Sequence, residues 1–313
     1  NNMIEIIEDN SFLGLNNMFI IDLSNNRLEF ITSRTFRGLK SLSSLTLTSN
    51  QIKWIHLDAF VDLENLNVLD LDRNKLKGFD KYAIRNSLFL FNIHLDCNNM
   101  DYFISDSFLI ENHYLTYLIM RSNHLKNVSK TMFKHLVNVN QIFLDSNQIS
   151  FIEDFSFVDC VTLQILDLSK NQLKNITSNL FRGLDELVWL HLNKNQIEFI
   201  DSDALSFMKK LRLLGLRENL IRSISAKTIE LLNFDLVDLF LLNNPIESIE
   251  SIAIKKINKN NEIKKFSINT IKIINGDLNR FNFCYLNQIK WLFLRRSFLY
   301  HEYYSSILIM DSY

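Results

Sequence analysis

The chain has 313 residues, 47% of them apolar, and 34 basic against 35 acidic side chains give a net charge of −1. That content supports a continuous core in one large domain or two ordinary ones, and it excludes a disordered or collagen-like chain. Near-neutral charge removes the global positive field that drives nonspecific nucleic-acid binding, so no nucleic-acid partner is expected.

No apolar run approaches the roughly 20 residues of a spanning helix, and WLFLRRSFLY (291–300) is broken by Arg295 and Arg296. No membrane span is expected within the chain. It opens on Asn1 without a basic start, apolar segment or cleavage site, so a targeting segment is read as absent or already removed. Cys97, Cys160 and Cys284 lie 63 and 124 residues apart with no CxxC pair. This excludes the usual structural zinc spacing and allows at most one disulfide.

Residues 1–17, NNMIEIIEDNSFLGLNN, match the second half of a repeat with no strand before it. Terminal repeats need a polar cover. This opening is therefore expected to be a fragment start, or to lie under another segment at Ile4, Ile7 and Phe12.

From 18 to 250 one pattern recurs about ten times. Asn stands at Asn2, Asn26, Asn50, Asn74, Asn98, Asn123, Asn147, Asn171, Asn195, Asn219 and Asn244, in eight intervals of 24 residues and two of 25. Around it, LSSLTLTSNQI (42–52), LNVLDLDRNKL (66–76), LQILDLSKNQL (163–173) and LRLLGLRENLI (211–221) share LxxLxLxxNxL. An aliphatic follows three residues on, and five beyond it a Phe in most copies: Phe12, Phe36, Phe60, Phe108, Phe133, Phe157 and Phe181, with Ile84, Leu205 and Ile229 elsewhere. No single copy can bury this face alone, so copies must stack in register. The Asn amide can donate and accept toward adjacent turns, and losing one is expected to cost about 1–3 kcal/mol. Thr32, His56, Ser129, Glu153, Thr177, Asp201 and Ser225 follow the second aliphatic. Ser, Thr and Asp there can cap short helical turns, whereas long helices are not expected.

These repeats resemble the leucine-rich repeat family, in the 24-residue form of extracellular proteins such as Toll-like receptors, small leucine-rich proteoglycans and insect adhesion and immune proteins. The resemblance implies an α/β fold: a right-handed horseshoe solenoid with a concave parallel β-sheet and short 3₁₀ or helical turns or loops on the convex side. It also implies a non-catalytic receptor, adhesion or immune module.

Residues 251–313 are expected to form a C-terminal capping region. IESIESIAIKKI (246–257) has helical spacing, IKKFSINTIKI (263–273) alternates like a final strand, and NRFNFCYLNQIKWLFLRR (279–296) suits a capping helix. The stretch around Cys284 resembles the opening of C-terminal caps in secreted insect repeat proteins, but without their disulfide partners. Cys97 and Cys160 are expected to be buried free thiols.

Side-chain alternation turns the third, fifth and seventh positions of LxxLxLxxN away from the core, in columns spaced about 4.8 Å apart. One group is apolar: Ile165, Trp189 and Leu213 with His191 and Phe240, beside a notch at Gly215, and Tyr117, Ile119 and Phe143 nearer the middle. A second is acidic, with Asp70, Asp72 and Asp96 around His94 and Arg121 at its margin. Both groups are candidate ligand contacts; no metal or cofactor is expected, for the acidic group lacks a loop to complete a coordination shell. Asn127-Val128-Ser129 and Asn175-Ile176-Thr177 are glycosylation acceptors. The Lys255, Lys256, Lys259, Lys264 and Lys265 group reads as a solvated face.

No nucleophile elbow, phosphate-binding glycine loop or HExxH occurs. The role that the resemblance implies is capture of a protein or peptide on the concave face, extracellular or at the cell surface, with a homo- or heterodimer left open. The alternative is a cytoplasmic scaffold or regulatory subunit, favoured by unpaired cysteines.

Overall fold

A computed structural model of the chain describes residues 2–104, 114–225, 227–228, 236, 238–249, 265–269 and 291–295. Ten three-residue strands, Ile20–Asp22, Ser44–Thr46, Val68–Asp70, Asn92–His94, Tyr117–Ile119, Gln141–Phe143, Ile165–Asp167, Trp189–His191, Leu213–Gly215 and Asp238–Phe240, run side by side in sequence order. Lys265–Asn269 and Trp291–Arg295 extend them to a 12-stranded sheet, parallel throughout. The repeat length sets the register. One period along the chain is one strand across the sheet, so Trp189 lies between Ile165 and Leu213.

In each of the ten three-residue strands the middle residue, such as Leu166, Leu190 or Leu214, is buried, and its neighbours lie on the opposite, concave face. Behind the sheet the stacked Leu and Ile positions merge into one core. Phe rings form its far wall, stacked at centroid distances of 5.9 Å for Phe12–Phe36, 6.1 Å for Phe36–Phe60 and 5.3 Å for Phe133–Phe157. The spine loses its ring in the third repeat, where Ile84 replaces it, and again at Leu205; Phe108 and Ile229 lie outside the described residues.

The ladder asparagines from Asn26 to Asn244 are buried. Asn195 is typical. Its Oδ1 accepts the Leu173 N–H of the preceding repeat at 3.0 Å, and its Nδ2 donates to the carbonyls of Leu168 at 2.9 Å and Leu192 at 3.1 Å. One side chain thus satisfies three buried backbone groups in two repeats. The half-repeat at the start joins the same system, for Asn26 Oδ1 accepts the Ile4 N–H at 3.1 Å.

Immediately before each of these asparagines the backbone turns left-handed. Asn25, Ser49, Arg73, Cys97, Ser122, Ser146, Lys170, Lys194, Glu218 and Asn243 all have φ between 53° and 60°. The bend aims the following Asn inward and its own N–H sideways, so that Lys194 N–H reaches the Arg217 carbonyl at 2.8 Å. This corrects the expectation for Cys97. Its side chain points outward from the turn and is exposed, whereas Cys160 is fully buried, and both are free.

The return limb is built of turns. Among the described residues the helical turns are Lys81–Ile84, capped by the Asp80 carboxylate accepting the Tyr82 N–H, and residues 227–228, where Ser225 Oγ accepts the Thr228 N–H at 3.0 Å. Along the flank, short strands pair two by two, as Asn127–Val128 with Phe151–Ile152 and Asn175–Ile176 with Phe199–Ile200. At the C-terminal end the alternating stretch does contain a strand, Lys265–Asn269. The helix expected over 279–296 gives way at Trp291–Arg295 to a strand, consistent with the β-favouring WLFL run. Ser248–Ile249 is likewise a strand. The remainder of the expected capping region, with Cys284 and the lysines 255, 256, 259 and 264, lies outside the described residues.

Candidate recognition surface

The exact register makes the concave columns continuous. Trp189 is 45% exposed, and Ile165, Leu213, His191 and Phe240 are half-buried around it. The notch expected at Gly215 is not open. The Asn193 amide fills it, with Nδ2 2.7 Å from where a Cβ on Gly215 would stand, and Asn193 Oδ1 accepts the Arg217 N–H at 2.9 Å. Arg217 in turn spreads its guanidinium 4.2 Å above the Phe240 ring. The apolar column is thus bordered by a stacked cation and a clamped amide, both pre-set by the framework.

Tyr117 and Ile119 share a strand beside Gln141 and Phe143. Arg121 lies 4.1 Å over Phe143 and its Nε is 3.0 Å from Asp145 Oδ1. Tyr117 meets Phe91 edge-on at 5.2 Å, and Phe89 meets Tyr114 at 5.4 Å. Phe89, Phe91 and Tyr114 are exposed. They lie where the chain enters the strands, outside the three columns read from the sequence. The signal was present: Phe89 and Phe91 bracket the first Leu of their repeat, Leu90.

The acidic group is tied into the backbone. Asp70 Oδ1 accepts the Asp72 N–H at 3.0 Å, Asp72 Oδ1 the Asp96 N–H at 2.7 Å, and Asp96 Oδ1 the Arg121 N–H at 2.6 Å. Each carboxylate from Asp72 onward thereby bridges to the next repeat. His94 Nδ1 stands 3.9 Å from Asp72 Oδ2, and Asp70, Asp72 and His94 each bring one donor atom within 4.8 Å of the others. Burial pushes the Asp96 carboxyl up to about 6. Burial and the neighbouring Asp70 raise Asp72, and burial with the Asp167 charge raises Asp145. As pH falls, this part of the face therefore loses charge before an ordinary surface carboxylate does.

Asn127 and Asn175 lie on the flank, not on the concave sheet, and are exposed. Their column also carries Phe30, Trp54, Tyr102, Phe151 and Phe199, an exposed aromatic line that reading of the concave columns missed.

Residues 1–52, 44–100, 113–173 and 138–197 match the family model described as leucine rich repeat. Among solved structures, the chain is similar to that of the TLR13–ssRNA13 complex, with a TM-score of 0.77 and 23% identity over 91% of this chain and 41% of that one. It is also similar to the leucine-rich repeat domain of APL1B, with a TM-score of 0.74 and 20% identity over 93% and 78% of the two chains. A third similarity is to the Drosophila Toll–Spatzle complex, described as a molecular hub in development and innate immunity, with a TM-score of 0.60 and 18% identity over 94% and 44%. None of the curated proteins matches the sequence.

Proposed function

The chain belongs to the leucine-rich repeat family, and on that footing we propose that it is a non-catalytic recognition module holding a protein partner against its concave sheet, outside the cell or at its surface. One observation carries the reading: Ile165, Trp189 and Leu213 stand in register on three adjacent strands, with Trp189 45% exposed. Contiguous apolar side chains on a rigid sheet favour association, and Trp is the residue type that most often dominates it. Arg217 over Phe240 and the Asn193 clamp supply a polar rim that needs no rearrangement on binding.

The extracellular setting draws support from the similarity to the Toll–Spatzle structure. Among the described residues no helix is long and apolar enough to cross a membrane. The fold itself carries no exclusion of nucleic acid, since a similar chain is in complex with an ssRNA. The expectation of a protein partner rests on the near-neutral net charge and the apolar column. A second reading, an intracellular scaffold, draws on the two free thiols. Cys160 is inert, its thiol pushed up by burial to about 12, so only the exposed Cys97 bears on compartment.

The test is a screen of the immobilised chain against a panel of secreted and cell-surface proteins. A genuine concave partner loses about 2 kcal/mol, roughly 30-fold in Kd, with Trp189→Ala. A partner indifferent to both Trp189→Ala and Leu213→Ala would sink the assignment of this face.

A further inference from the structure

Four residues after a ladder Asn, the flank carries Phe30, Trp54, Tyr102, Phe151 and Phe199, each roughly half exposed. The first three have cover. Lys53 Nζ lies 6.0 Å over Phe30, Trp54 meets His56 edge-on at 5.5 Å, and Tyr102 lies across Gly78, whose missing side chain leaves room for the ring. Phe151 and Phe199 differ. At 59% and 58% they are the more exposed rings of the column, and among the described residues neither has an aromatic or cationic neighbour.

What stands beside them is asparagine. Register pairs Asn127 with Phe151 and Asn175 with Phe199 on adjacent parallel strands, a spacing of about 4.8 Å. Each Asn opens an Asn-x-Ser/Thr triplet whose middle residue, Val128 or Ile176, is buried, so the Asn and its Ser129 or Thr177 share the outward face. The sequence contains two such triplets, and both fall at this one position of the repeat.

We propose that Asn127 and Asn175 are N-glycosylated and that the first sugar of each glycan covers the neighbouring ring of Phe151 or Phe199. The donor is an oligosaccharide on a polyprenyl diphosphate. The Asn amide nitrogen bonds to C1 of the first N-acetylglucosamine and loses a proton, while the C1–O bond breaks and the diphosphate leaves with the electron pair. A sugar anchored one strand away presents its apolar C–H face to the ring and removes that surface from water. A protein seated on the same line would have to desolvate both asparagine amides, which have no side-chain hydrogen bond among the described residues.

The proposal rests on the extracellular reading, because the donor and its transferase belong to the secretory pathway. The full chain is passed through a eukaryotic secretory host behind a supplied leader. Intact mass is expected to show two glycans, and Ser129→Ala and Thr177→Ala, which keep both asparagines, each remove one. Enzymatic removal of the glycans is expected to raise the fluorescence of an apolar-surface dye, and a Phe151→Ala/Phe199→Ala variant to abolish that rise. Export with both asparagines bare overturns the modification and leaves the extracellular setting standing, whereas retention of the folded chain inside the host overturns both. A dye response that persists without the two rings overturns the sugar–ring contact.

Discussion

Asn193 holds the space that a side chain at residue 215 would need, its Nδ2 and Oδ1 lying 2.7 Å and 2.9 Å from the ideal Cβ position on Gly215. Glycine here serves not a left-handed turn but the close approach of a neighbour. Gly215→Ala is expected to push Asn193 off the Arg217 N–H and cost about 1–2 kcal/mol by urea titration. The double variant Gly215→Ala/Asn193→Ala should cost less than the two single changes summed, because the collision has gone. Additive losses would mean that the two side chains do not share this space.

The asparagine ladder gives a larger effect. Asn195→Ala strands the Leu173 N–H and the Leu168 and Leu192 carbonyls in a buried turn, for an expected loss of about 3 kcal/mol. Asn195→Asp keeps the acceptor for Leu173 but removes both donors and buries a charge, and should cost more. Hydrogen exchange would show the loss spreading to the repeats on both sides, because the bonds cross from one to the other. A loss confined to the turn of residue 195 would count against that coupling.

The left-handed residue before each Asn sets up a third comparison. Lys194 has φ 58°, a conformation costing roughly 1–2 kcal/mol for a residue with a Cβ and most for a β-branched one. Lys194→Val should therefore destabilise the chain by about 1 kcal/mol. Lys194→Asn should be neutral or stabilising, since Asn25 and Asn243 occupy the equivalent position. The denaturation midpoints of the two variants would order the other way if the backbone at 194 were free to leave this region.

Much of this was legible in the sequence because the period is regular. A nearly constant interval, 24 residues in eight of ten cases, converts spacing along the chain into adjacency across the sheet, so the Ile165–Trp189–Leu213 column is legible without coordinates. What the pattern hid depends on backbone direction or on contacts between columns. Cys97 looked buried because it precedes a buried Asn, but the left-handed turn reverses it. The Gly215 notch looked open because nothing in the period says that Asn193 leans across strands. Nothing in the period says that Arg121, at the margin of the acidic group, and Arg217 each stack on a Phe one repeat further on. The flank aromatics lie outside the alternation around the consensus leucines, for a second short strand repeats that alternation four residues after the Asn.

Asp96 provides a test by pH. Its carboxylate accepts the Arg121 N–H, but burial opposes its charge and pushes its pKa from the ordinary 3.8 up to about 6. A carboxyl held above its unfolded value binds its proton more tightly in the folded chain. The stability it contributes is therefore complete below about 3.8 and is lost as pH rises through about 6. Asp96→Asn retains an oxygen that can accept the Arg121 N–H and has no charge to desolvate. Relative to the parent it should be equally stable near about pH 4 and more stable near about pH 7, with the gap opening between the two. Arg121 keeps Asp145 as an ion partner at 3.0 Å, so the change leaves no cation stranded. Urea midpoints of the pair across that range decide the matter: a difference constant with pH, or one that shrinks as pH rises, would show that Asp96 is not held in its neutral form by the fold.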